Sequence, residues 1–370
     1  MYFPFSPVIW REVQQAAPPW FFSTAAFVFG AVAGSFLNVC IHRMPRNESL
    51  VAPRSHCGSC GHVIRWFDNI PLISFFVLGG KCRDCGALFS VRYWIVECLT
   101  AFLFVWIWRS FEPWQAAAYT VFVCGLIVAT FIDFEHYIIP DEITIGGILA
   151  GVIFSGVEPS LQGAESHTAG AFWSLTGAAI GWAALWAVVE IGKRIFGIKK
   201  VVLSEPTGLV LVKEGLRIGE TLDLWEEIFS RQTDVLSFDA TGVSLGEKTW
   251  EKARIRVNWR QVRVEDETFE LSEIGELKAT TRVLNVPREA MGFGDVKFIA
   301  AVGAFLGPKA IFFVILASSV IGSLAGLATI FLGKKQWGMR LPYGPYLAFA
   351  AILWLAGGSR LFSSYLGWFD

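Results

Sequence analysis

Charge is scarce in this chain. Asp, Glu, Lys and Arg make up 17% of 370 residues, while 54% are hydrophobic. A soluble domain carries about 25% charged residues, so this balance and a mean hydropathy of +0.50 argue against one. Surplus positive charge is missing too. The net charge is −1, so no basic field invites nucleic acid. The N-terminal MYFPFSPVIWREVQQAAPPW has no basic n-region, and no cleavage site follows the first apolar run. That run is read as a retained helix, not a signal peptide. No HExxH occurs, the five His are scattered, and no Ser/His/Asp set stands out. Zincin and serine-hydrolase chemistry therefore lack their residues. What is abundant is Trp, with 16 copies, a residue that marks the headgroup level of membrane proteins.

Apolar runs of near-spanning length recur at about 20–41, 93–110, 114–132, 143–157, 169–191, 296–308, 310–332 and 344–365. These predict an all-α polytopic membrane protein of about eight helices. Gly30/Gly34, Gly147/Gly151, Gly177/Gly181 and Gly322/Gly326 are GxxxG pairs, a spacing that lets helices approach closely. Basic residues concentrate in alternate loops: Arg43, Arg46, Arg54, Arg65, Lys81, Arg83 and Arg92, then Lys193 and Arg194, then Lys334, Lys335 and Arg340. The positive-inside rule places 42–92, 192–295 and 333–343 in the cytoplasm.

Residues 193–290 differ in kind. Runs such as GLVLVKEG, VLSFDATGVSL and ARIRVNW predict a small β-rich (α+β) cytosolic insert. Its GVSLG at 242–246 fits GxSxG, but that motif needs a strand–elbow–helix setting with His and acidic partners. No His lies in the insert, so the stretch reads as a β-turn.

CGSC at 57–60 and CRDC at 82–85 have zinc-ribbon spacing. Two knuckles presenting Cys57, Cys60, Cys82 and Cys85 would close a tetrahedral structural zinc site with no open position. Stable disulfides are disfavoured in a reducing cytoplasmic loop. His56 and His62 flank the first knuckle and read as surface residues, because four thiolates complete the site. Cys40, Cys98 and Cys124 read as buried small hydrophobes.

Two carboxylates stand at the edge of apolar runs: Asp133 in FIDFEHYIIPDEIT and Asp295 in GFGD. A carboxylate at membrane depth is costly and is paired or functional. The topology puts both at the same face, where they could form an aspartic dyad sharing one proton. Gly292 and Gly294 would let a substrate backbone pass close to Asp295. Asp141, after Pro140, reads as a helix cap with Glu142 in the first turn. A proton-coupled transporter would also use buried carboxylates, but it tends to show inverted repeats and midplane charge, and neither is visible. A scaffold with a docking zinc loop would explain the cysteines and not GFGD.

The ordered set GSFLNVCIHRMP (34–45), DNIPLISFFVLGGKCRDCG (68–86), Asp133 with Pro140–Asp141, a late GxGD and LPYGPYLA (341–348) resembles the type IV prepilin peptidases, which are GxGD aspartyl proteases. The likeness covers about 35–192 and 288–350. It implies a bifunctional inner-membrane enzyme of type IV pilus or type II secretion systems. Such an enzyme cleaves the leader of prepilins or pseudopilins and N-methylates the new N-terminus with S-adenosylmethionine. A peptidase without the methyl transfer is the narrower alternative. The resemblance carries the catalytic roles to Asp133 and Asp295. Many relatives have Asp where this chain has Glu135. The expected organisation is an N-terminus and first span (1–41), a four-cysteine zinc-ribbon-like loop (42–92), spans two to five (93–192), the insert (193–290) and GxGD with the last three spans (291–370). The insert falls where relatives have a short connection, and it is a candidate surface for pilus or secretion assembly partners. Membrane lipid is the other expected partner, and nucleic acid is not one.

Overall fold

A computed structural model describes residues 18–229, 234–287, 291–332, 341–360 and 364. The N-terminal 1–17, the basic Lys334, Lys335 and Arg340, and most of 361–370 lie outside the described residues. The chain divides into two compact units, one of residues 1–185 with 293–370 and one of residues 186–292.

The first unit is helical. Its elements are α1 (Pro19–Arg43), the short α2 (Ile73–Val77), α3 (Arg92–Ser110), α4 (Pro113–His136), α5 (Asp141–Val157), α6 (His167–Phe196, which runs on into the second unit), α8 (Phe293–Leu306), α9 (Pro308–Phe331) and α10 (Gly344–Leu353). The insert contributes α7. Proline opens α1, α4 and α9, where a missing N–H costs nothing and φ is already helical. Among the described residues, four helices are long and apolar enough to cross a membrane: Trp20–Arg46, Pro113–His136, His167–Ile195 and Pro308–Phe331. The other expected spans correspond to α3, which carries Arg92, Glu97 and Arg109, and to the shorter α5, α8 and α10.

The GxxxG pairs are where helices meet. A Cβ on Gly30 would stand 2.8 Å from Ala101 Cα, and one on Gly34 would stand 2.7 Å from Glu97 Cα, so α1 lies flush on α3. Gly147 and Gly151 likewise face Ala301 and Ala304 of α8, Gly181 faces the Ile299 carbonyl, and Gly322 faces the Tyr346 ring. At Gly30, Gly34, Gly151 and Gly181 the added atom would meet backbone closer than 3.0 Å, so a side chain there would force the helices apart.

The shortness of α8 has a local cause. Fourteen residues rise only about 21 Å, and the last residues, Ala304 to Leu306, are buried, so their carbonyls need donors. Ser174 Oγ donates to the Ala304 carbonyl at 2.7 Å, and Gln162 Nε2 reaches the Ala304 and Phe305 carbonyls at 3.0 and 3.2 Å. Gly307, at φ +80°, then turns the chain into α9.

The second unit carries the β-rich insert as one eight-stranded sheet, order β3-β2-β1-β8-β4-β5-β6-β7, with every recorded pairing antiparallel. The strands are β1 (Ile198–Leu211), β2 (Gly215–Ile218), β3 (Thr221–Leu224), β4 (Leu236–Leu245), β5 (Lys248–Val257), β6 (Gln261–Val264), β7 (Glu267–Glu270) and β8 (Leu277–Pro287), with the one-turn α7 (Trp225–Ile228) after β3. Alternation puts Phe238, Ile255, Val257, Val262, Val264 and Leu277 into a common core. Lys193 Nζ meets the buried Asp234 Oδ1 at 2.6 Å. Ile198 pairs with Pro287, so the insert enters and leaves through adjacent strand ends. GVSLG was expected to be a β-turn; instead 242–245 belong to strand β4, where Ser244 pairs with Thr249, and only Gly246 (φ +59°) enters the turn to β5.

Candidate active site and metal centre

The third expected span was to end at Asp133, with Glu135 and His136 in a loop. Instead α4 runs one turn further, to His136, and is stopped by Tyr137 in a left-handed conformation (φ 56°). Asp133 therefore sits on a helix, 5% exposed, and Asp295 lies in the first turn of α8, 8% exposed. Asp133 Oδ2 accepts the N–H of Gly344, the first residue of α10, at 2.9 Å. Ile139 lies between the two aspartate segments. Its Cδ1 would be 3.1 Å from a Cβ on Gly344, and its Cβ would be 3.4 Å from a Cβ on Gly294, next to Asp295. The ends of α4, α8 and α10 thus converge around one buried isoleucine. A Cβ at position 294 would just touch Ile139 at ordinary van der Waals distance. Gly292 is exposed just before α8.

Asp141 is not a helix cap. Pro140 occupies the cap position of α5 with no side-chain bond, and its carbonyl accepts the N–H groups of Ile143 and Thr144. Asp141 begins the helix and binds Lys297 Nζ at 2.7 Å, which pins the start of α5 to the start of α8 two residues from Asp295. Glu135 is committed as well: its carboxylate is bound by Arg92, the first residue of α3. Neither Arg92 nor Lys297 stands out in the sequence, because each acts on a residue far along the chain.

The four cysteines come together. Their sulfurs all lie within 4.8 Å of one another, and Cys57 Sγ is 3.8 Å from Cys85 Sγ. Tetrahedral zinc with sulfur at about 2.3 Å sets sulfurs about 3.8 Å apart, so the cage fits the ion. The two knuckles are built alike. Cys57 N–H bonds to the His62 carbonyl and Gly61 N–H to the Cys57 carbonyl; Cys82 N–H bonds to the Ala87 carbonyl and Gly86 N–H to the Cys82 carbonyl. Gly61 (φ +70°) and Gly86 (φ +73°) take the left-handed position each turn requires. The N–H groups of Cys60 and Ser59 pull the Cys57 thiol down to about 6. His56 and His62 lie outside the cage; His62 Nε2 instead faces Asp84 Oδ2 at 3.6 Å. Arg83 grips Asp68 with two nitrogens, holding that carboxyl below the usual range and tying the second knuckle to the 66–68 turn. The loop is fastened to the helices where Leu72 N–H donates to Glu97 of α3 at 2.8 Å.

Comparison with known proteins agrees with this geometry. The bacterial peptidase A24 N-terminal domain matches residues 28–111, and the type IV leader peptidase family matches 120–211 and 280–327. The gap in that match, 212–279, falls within the β-rich insert. A protein of Myxococcus xanthus named prepilin leader peptidase/N-methyltransferase is 38% identical over 179 residues, 47% of this chain and 50% of that protein. Proteins of the same name from Pseudomonas aeruginosa and Xanthomonas campestris are 26% and 25% identical, over 95% and 92% of this chain and 96% and 93% of their own lengths. No solved structure matches. With both family domains matched in order, and the cysteine cage, Asp133 and GFGD falling inside them, the chain belongs to the type IV leader peptidase family.

Proposed function

We propose that this protein cleaves the leader peptide of type IV prepilins or pseudopilins and N-methylates the new N-terminus, with Asp133 and Asp295 as an aspartic dyad at the cytoplasmic membrane face. The observation that carries the reading is the pair of buried aspartates on helices that meet at Ile139 and Gly344, in a chain whose relatives bear that enzyme name. One carboxylate takes a proton from water as the oxygen adds to the scissile carbonyl, while the other gives its proton to the carbonyl oxygen. The tetrahedral intermediate then collapses, the C–N bond breaks, and the amine leaves with a proton returned from the dyad. The end of α1 at Arg43, the loop bearing Arg83 and the end of α6 at Lys193 and Arg194 face the cytoplasm on the positive-inside rule. On this reading α3, α5, α8 and α10 complete eight spans of an inner-membrane protein.

A groove of about 200 Å³ runs between α4, α5 and α8, lined by Phe122, Gly125, Gly146, Ala301 and Phe305, with Glu142 at one end. Phe298, one turn from Asp295, also lines it. Nothing fills the space beside Gly146, so the groove suits the apolar helix that follows a prepilin cleavage site. It does not suit the methyl donor: S-adenosylmethionine carries adenine, ribose and carboxylate groups, and the lining is apolar apart from Glu142. When bound, S-adenosylmethionine would supply the methyl group; the chain's own task there is to release the amine uncharged. Zinc is the metal that the cysteine cage would hold, with a structural role. The insert is proposed as a surface for assembly partners.

The test is to incubate the purified full-length chain with a prepilin and labelled methyl donor. The expected result is a shortened pilin carrying the label on its new N-terminus. An uncut prepilin would overturn the reading, and a cut but unlabelled product would remove its methyltransferase half.

A further inference from the structure

Residues 341–348, LPYGPYLA, turn into α10 at Tyr343. The first N–H groups of a helix have no partner within it. In α10 one of them, that of Gly344, donates to Asp133 Oδ2, and Pro345 beside it has no N–H to offer. A single donor at the positive end of a helix is thereby aimed at one carboxylate oxygen. The fit leaves no slack. A Cβ on Gly344 would lie 2.8 Å from that same oxygen.

Tyr343 fixes this turn. Its hydroxyl is 2.7 Å from Ser318 Oγ and 3.1 Å from Ser319 Oγ, both on α9. Each serine hydroxyl also reaches the Ile315 carbonyl, at 3.0 and 2.7 Å. Each contact needs one proton, which the tyrosine or the serine can supply, and together the two contacts hold the Tyr343 hydroxyl on α9. Its ring also stands edge-on to Tyr346, with centroids 6.4 Å apart. The residue that aims the N–H at Asp133 is thus adjacent in sequence to one clamped on the middle of α9.

We propose that Tyr343 and Gly344 are the positioning element of the dyad: Tyr343, held by Ser318 and Ser319, keeps the Gly344 N–H on Asp133 Oδ2 and so presents Oδ1 to the attacking water. With Oδ2 engaged as an acceptor, the proton shared with Asp295 is exchanged at the facing oxygen. Neither residue touches the scissile bond; both act through Asp133. The inference rests on the peptidase reading above.

The test compares Tyr343→Phe, a Ser318→Ala/Ser319→Ala pair and Gly344→Ala in the full-length enzyme. Two substrates are used: an intact prepilin, and a synthetic pilin peptide that already begins with its free N-terminus. Tyr343→Phe is expected to lower kcat for cleavage about 10- to 100-fold, the range for a misplaced catalytic group. KM should stay within about twofold and methylation of the precut peptide should be unchanged. The serine pair should give the same loss and add nothing to Tyr343→Phe, because both remove one contact. Gly344→Ala should lose more than either. Cleavage by Tyr343→Phe at the wild-type rate overturns the proposal. So does an equal fall in cleavage and methylation, which marks a general loss of fold. Should Tyr343→Phe not fold, the serine pair, which keeps the ring, decides by the same two readouts. A wild-type chain that leaves the prepilin uncut counts against the peptidase reading and not against the tyrosine.

Discussion

Asp133→Asn and Asp295→Asn are each expected to abolish leader cleavage, by about 10⁴-fold or more in kcat, while the chain keeps its fold. Asparagine matches the aspartate in shape. At position 133 its carbonyl can still accept the Gly344 N–H that now reaches Oδ2. What it cannot do is exchange a proton. A dyad with one carboxylate left has either no base for water or no acid for the carbonyl oxygen, so the two single losses should be similar. The double variant should be little worse, because residues that act as a unit are not additive. Glu135→Gln is the contrast. Glu135 is a carboxylate two residues from Asp133, but its charge is engaged by Arg92, so its loss should loosen the end of α4 and cost less than about tenfold. Mass spectrometry of the released leader measures all four variants. Cleavage surviving in either aspartate variant would remove the dyad.

Removing the metal comes next in size. Four sulfurs within 4.8 Å cannot all be thiolates without a cation, and the loop around them has little core of its own. Binding of a structural metal is then folding free energy. Cys57→Ser or Cys82→Ser is expected to leave the chain without bound zinc and its 49–91 loop open to protease, where the wild type carries one zinc and resists cutting. The pH dependence has a definite sign, because zinc binds thiolates and competes with protons for them. Metal content should hold at pH 7 to 8 and fall on acidification. A chain that binds no metal at pH 8 and whose four thiols react freely would contradict the site.

Some of this could be read from residue order alone, for physical reasons. Asp133 and Asp295 stand out because a charge beside an apolar run is expensive, and the cysteines because two thiolates two residues apart make a knuckle. The GxxxG pairs were legible as contact points, and Gly147 and Gly151 do meet Ala301 and Ala304. Other features were out of reach. Gly344 acts through a backbone N–H, which leaves no side-chain pattern to find. Gln162 caps α8 from over 140 residues away, and Arg92 and Lys297 choose their carboxylates only once the helices have packed. Asp141 looked like a cap because Asp caps helices well, but Pro140 took that position and left the carboxylate to Lys297. The insert was recognisable as β-rich from alternation, whereas its strand order depends on long-range pairing of β1 with β8.

The proposed cleavage needs two carboxylates sharing one proton, and the pH profile of kcat/KM for prepilin cleavage measures that most directly. A proton-sharing pair titrates in two macroscopic steps, and only the singly protonated state has both a base and an acid. The predicted profile is a bell with one ionisation on each limb. A rate that rises with pH through a single ionisation and then stays level would show one working carboxylate and contradict the dyad.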